Sequence, residues 1–87
     1  GRSVAVVGGG EQAVAKARLM ARTPATVLWF TPDGAPPEAE RPQGVTPIER
    51  APSLLDLKGA ALVFIAIEDA AQAGAIAERG RRAVALV

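Results

Sequence analysis

The chain contains neither cysteine nor histidine. Without cysteine there is no disulfide framework and no thiolate to serve as nucleophile or redox centre. Without histidine as well, a zinc site would rest on carboxylates alone, an unusual way to hold that ion, and no metal ligands are assigned. An excess of one charge is missing too. Ten Lys and Arg face nine Asp and Glu, a formal net charge of +1, which provides no field to draw in nucleic acid or an anionic membrane. No apolar stretch approaches the ~20 residues of a membrane-spanning helix; the longest, residues 60–67, suits a buried strand. No secretory leader pattern stands out. The expectation is a cytoplasmic protein whose partners are neither nucleic acid nor membrane.

At 87 residues, one domain is the ceiling, and a domain of this size buries only roughly 60% of the surface its unfolded chain exposes. The sequence opens on Gly1-Arg2-Ser3 and closes inside the apolar run Ala83-Val84-Ala85-Leu86-Val87. Residues 1–87 are therefore expected to be a single domain belonging to a longer chain.

Along the chain, Ser3-Val4-Ala5-Val6-Val7 is an apolar run that suits a central strand buried on both faces. Residues 11–22 turn helical: Ala13, Val14, Ala17, Met20 and Ala21 recur at spacings of three and four, with Lys16, Arg18 and Arg22 on the outer side. Pro24 ends that helix by pushing Thr23 out of the α region. Residues 25–30 read as a second strand, rich in β-favouring side chains. Residues 31–47 carry five prolines and two glycines, so they read as an irregular connection with one turn near residues 37–40. Residues 45–49 are a short third strand, whose Pro47 demands a sheet edge. Ser53 caps one helical turn with Asp56 at its third position, and Gly59 closes it. Residues 60–67 form a fourth strand, residues 69–79 a helix ended by Gly80, and residues 82–87 a fifth strand. Strands alternating with helices predict an α/β fold, a Rossmann-type parallel sheet in the order 3-2-1-4-5 with helices on both faces.

Gly8-Gly9-Gly10-Glu11-Gln12-Ala13 fits G-x-G-x-x-A, the dinucleotide fingerprint, and stands where it must, after a strand and opening a helix. Gly8 permits the tight exit from the strand, Gly10 lets a pyrophosphate approach the backbone, and Ala13 lets the helix pack closely. Phosphate would sit on free N–H groups at the helix N-terminus. Charge-assisted hydrogen bonds contribute roughly 1.5–3 kcal/mol each, against about 0.3–1 kcal/mol from the helix dipole, so the backbone bonds matter more. The same glycines also make a tight turn with no ligand at all. The Glu11 carboxylate is expected to turn to solvent or a ribose, or simply to complement the dipole. After the second strand, Phe30-Thr31-Pro32-Asp33 brings a carboxylate slightly late. Asp33 either meets a ribose 2′-hydroxyl or begins the Asp33-Gly34 turn. With no Arg in residues 31–40 to meet a 2′-phosphate, the cofactor is expected to be NAD rather than NADP. Glu68 and Asp69 are read first as helix-capping carboxylates and second as an acid–base pair. Arg79, Arg81 and Arg82 are read as a solvated helix end.

Val4-Ala5-Val6-Val7-Gly8-Gly9-Gly10-Glu11, with Ala15-Lys16-Ala17-Arg18-Leu19, resembles the opening of the siroheme synthase family. It is similar to the precorrin-2 dehydrogenase domain, whose sequences run V-V-G-G-G-x-V-A-x-x-K-x-x-x-L. Val27-Leu28-Trp29-Phe30-Thr31-Pro32-Asp33 continues the likeness, as do Ile48-Glu49-Arg50 and Leu57-Lys58-Gly59-Ala60-Ala61-Leu62-Val63. The resemblance implies oxidation of the tetrapyrrole precorrin-2 to sirohydrochlorin, with NAD accepting hydride, in siroheme or cobalamin biosynthesis. It carries cofactor contacts onto Gly10, Glu11, Gln12, Pro32 and Asp33, with Thr31 and Ile67 beside them, and it implies a homodimer. Gln12, Val14 and Ile67-Glu68 depart from the family pattern, and the helix after Asp69 lacks its Asn. The family's proposed catalytic Asp falls beyond Val87, so no catalytic residue is assigned here. A non-catalytic nucleotide-sensing module regulating a partner, and a structural domain that binds nothing, are the alternatives.

Overall fold

The computed structural model describes residues 2–85. Strand β1, Ser3–Val7, is buried from Val4 onward. Alternation along a strand sends neighbouring side chains to opposite faces, so β1 contributes to two thin cores. Val4 and Val6 pack with Ala13, Val14 and Ala17 of helix α1, Glu11–Met20. Ala5 and Val7 pack on the other face with Leu57 of the short helix α2, Leu54–Leu57, and with Ile76 and Ala83 of helix α3, Ala70–Ala85. Helices therefore cover both faces, as the alternating pattern predicted.

The sheet is parallel and four-stranded, in the order β3-β2-β1-β4, where β2 is Thr26–Phe30, β3 Pro47–Ile48 and β4 Ala60–Ile65. The expected fifth strand is not there among the described residues: 82–85 continue α3, and 86–87 lie outside the description. The physical reason is visible in the burial. Ala83 lies seven residues, two turns, after Ile76, and both are buried in the same core, while Arg81 reaches back to Glu78 at 2.7 Å. A helix interior loses only about 1 kcal/mol to a glycine, so Gly80 does not stop it.

Smaller differences follow from local chemistry. Helix α1 ends at Met20 rather than residue 22, where the Thr23 hydroxyl donates to the Met20 carbonyl at 2.6 Å; Ala21 is exposed, not inward. Lys16 is half-buried instead of outward, its Nζ 5.2 Å from the centre of the Phe64 ring, a cation–π contact over the face of β4. The turn near residues 37–40 is a 3₁₀ turn, Glu38–Glu40, and Pro47 does sit in the edge strand. Ser53 and Asp56 form the expected capping box on α2, with Asp56 Oδ2 accepting from the Ser53 N–H at 2.7 Å. Arg50 also donates to that oxygen at 2.6 Å. The Arg50 guanidinium first, and the Ser53 N–H second, hold the Asp56 carboxyl well below the usual carboxylate range.

Val7 is level with Phe30 in β2 and with Ile65 in β4. The ladder runs one residue past each strand, through Gly8 N–H to Phe30 O, Ala66 N–H to Val7 O and Thr31 N–H to Ile48 O, at 2.8–2.9 Å. The carboxyl ends are thereby flush, and the loops leaving β1, β2 and β4 meet at one edge.

Candidate functional site

The chain must turn sharply from β1 into α1, and the three glycines do different work there. Gly8 is buried with φ +133°, a conformation that side chains rarely adopt, and a Cβ on it would strike the Ala66 carbonyl and crowd Ala13. Ala13 is fully buried, so small residues at both positions let α1 approach the sheet. A Cβ on Gly9 would run into the Gly34 carbonyl. Gly10 has ordinary extended backbone, φ −80° and ψ 178°, and a Cβ on it would meet nothing within 4 Å.

Hydrogen bonds hold this turn from the neighbouring strand. The Trp29 indole, fully buried, donates from Nε1 to the Gly8 carbonyl at 2.7 Å. The Gly9 N–H donates to Asp33 Oδ1 at 2.9 Å. Asp33 stands third in a turn closed by Gly34 N–H to Thr31 O at 3.1 Å, with Pro32 second, where its fixed φ suits the bend. Asp33 thus takes part in the expected turn and, in a contact the sequence did not suggest, ties that turn to the glycine loop.

Above the turn lies a cleft of about 770 Å³, in the size range of small-molecule sites. It brings together Gly10, Glu11, Gln12, Asp33 and Ile67 of the expected residues, with Ala66, Glu68, Asp69 and Gln72. Gly8 lies beneath it. Thr31 and Pro32 are not on its wall; Thr31 is buried, and its Oγ1 has no hydrogen-bond partner. Asp69 does cap α3, Oδ1 accepting from the Gln72 N–H at 3.0 Å, while Glu68 is exposed.

No side chain caps α1. Its first hydrogen bond runs from Val14 N–H to Gly10 O at 3.0 Å, so the N–H groups at the helix start point out of the ladder, as at every helix N-terminus. Open space over Gly10, beside those donors, is where a phosphate can approach backbone without steric cost. The residues present therefore fit a dinucleotide.

A family model described as "Putative NAD(P)-binding" matches residues 1–87. The chain belongs to this NAD(P)-binding family. No curated protein and no solved structure matches it. NAD(P) is thus the cofactor of this domain. Among the described residues no helix is long and apolar enough to cross a membrane, and no group of three or more acidic residues could hold a metal ion.

Sequence reasoning passed over three features of this candidate site. Gly9 was only the free position of the fingerprint, although a third consecutive glycine hinted at a close neighbour. Trp29 was read as a strand residue; nothing local betrays an indole aimed at Gly8. Ala66 meets Gly8 only because β4 pairs with β1.

Proposed function

We propose that the domain binds NAD in preference to NADP, as the cofactor-holding part of a precorrin-2 dehydrogenase-like oxidoreductase acting on a tetrapyrrole. The observation that supports dinucleotide binding is the open space over Gly10 at the uncapped start of α1, on the wall of a cleft at the carboxyl edge of β1 and β4. In this reading the backbone at Glu11 and Gln12 takes the pyrophosphate, with Gly8, Gly10 and Ala13 setting its approach. Asp33 spends one carboxylate oxygen on Gly9 and offers the other to a ribose hydroxyl. The cleft wall carries that carboxylate and no Lys or Arg, which favours a 2′-hydroxyl over a 2′-phosphate. Thr31 and Pro32 act from behind, by shaping the turn that presents Asp33, and Ile67 offers an apolar wall.

When bound, the nicotinamide supplies hydride transfer; the protein binds and orients it. The tetrapyrrole substrate and the homodimer rest on the resemblance through residues 4–11, 27–33 and 57–63, and the catalytic residue is expected outside this chain. A non-catalytic sensing module is the competing reading. It is favoured by Gln12 and Ile67, which stand on the cleft wall and depart from the family pattern, as suits a homologue that has lost catalysis.

Calorimetric titration of the chain with NAD and with NADP tests the first step. Binding of NAD at least tenfold tighter than NADP supports the reading, and equal or tighter binding of NADP refutes it. Oxidation of precorrin-2 by the full-length protein with NAD then separates enzyme from sensor.

A further inference from the structure

Four carboxylates, Glu11, Asp33, Glu68 and Asp69, stand on the wall of the cleft, and no Lys or Arg stands among them. Each of them repels the two phosphate charges of a dinucleotide. Backbone N–H groups can hold the two phosphate charges, but they do nothing to offset the carboxylates. The acidic side chains are also not evenly placed. In the sheet order β3-β2-β1-β4, Asp33 follows β2 and Glu68 and Asp69 follow β4, so they flank the glycine turn from opposite sides.

From this distribution we infer that the cleft discriminates between the redox forms of its cofactor, taking the oxidised dinucleotide in preference to the reduced one. The inference rests on the NAD-binding reading above. Both forms carry the same two phosphate charges. The oxidised form adds a positive pyridinium ring; the reduced form has a neutral ring, and is more negative by one charge. In that reading the adenosine half takes the β2 side, with Asp33, which leaves the β4 side, with Glu68 and Asp69, to the ring half. Those two carboxylates attract a pyridinium and give a neutral dihydropyridine no such gain. The Debye length is about 10 Å at 0.1 M salt and longer at lower salt, so carboxylates on the cleft wall act on a charge up to that distance away. The consequence is a domain that loads with the hydride acceptor and releases it once reduced.

Two water-exposed carboxylates acting on one unit of charge across such a distance correspond to a preference of about 3- to 10-fold at low salt. Calorimetric titration of the chain with NAD⁺ and with NADH, at about 20 mM and about 500 mM salt, reads it directly. The expected result is NAD⁺ binding about 3- to 10-fold tighter at low salt, with the ratio shrinking toward one at high salt. The double variant Glu68→Gln/Asp69→Asn, in which Asn still caps α3, is expected to bring the ratio to about one while its melting curve shows a folded protein. NADH binding as tightly as NAD⁺ at low salt overturns the inference and leaves the NAD-binding reading standing, as does a ratio that survives the double substitution. Failure of the folded chain to bind either form overturns both.

Discussion

The substitution that separates a phosphate cradle from a plain turn is Gly10→Val. Gly10 sits in extended backbone open to any residue, and its Cβ direction is empty to 4 Å. The fold should therefore accept valine at the modest cost of a poorer N-cap, up to about 1 kcal/mol. The isopropyl group would fill the space through which a pyrophosphate must reach the Glu11 and Gln12 N–H groups. Loss of two charge-assisted hydrogen bonds at roughly 1.5–3 kcal/mol each amounts to about 3–6 kcal/mol, a factor of about 10² to 10⁴ in affinity. Gly9→Ala is the contrasting control. Its methyl would collide with the Gly34 carbonyl, and forcing the 31–34 turn aside should cost about 1–3 kcal/mol of stability, lowering the melting temperature by about 4 °C or more in a domain of this size. Calorimetric titration with NAD and a thermal melt of each variant supply both readings. Gly10→Val binding NAD within threefold of the parent would refute the argument, as would Gly10→Val unfolding where Gly9→Ala does not.

Further outcomes follow from the same geometry. Trp29→Phe keeps the ring and removes the donor to Gly8; an unpaired buried carbonyl should cost about 1–3 kcal/mol in denaturant unfolding and weaken NAD binding through the displaced turn. Asp33→Asn retains an oxygen for the Gly9 N–H but removes the charge, so NADP affinity should rise by about tenfold relative to NAD, a shift of about 1.4 kcal/mol, read by titration with both cofactors. Asp56 has its folded carboxyl lowered below the unfolded value of about 3.9. Its contribution is therefore full above about pH 4 and lost as pH falls toward the folded value. Asp56→Asn should cost about 1 kcal/mol at pH 7, a cap-sized loss, and the difference from the parent should shrink below about pH 4 in unfolding curves; a difference constant down to pH 2 would contradict the assignment.

The central strand, the helix after it, the Ser53–Asp56 cap and the edge position of Pro47 were legible in the sequence because each rests on contacts within a few residues or on a hydrogen bond that proline cannot make. The glycine turn was legible for the same reason, since a left-handed φ at Gly8 is a local demand. What tertiary structure alone decided lies where distant segments compete for one another. The segment after Gly80 had enough apolar residues for a strand, yet the core reached by Ile76 took Ala83 at helical spacing, so α3 ran on and the sheet has four strands among the described residues. Lys16 looked like a solvent-facing charge until β4 brought the Phe64 ring beneath it. The need for glycine at position 9 arises from Gly34, twenty-five residues away, and the carboxylates of Asp33 and Glu68 share a cleft only because parallel strands end flush. Local backbone chemistry wrote the turn; strand pairing decided what surrounds it.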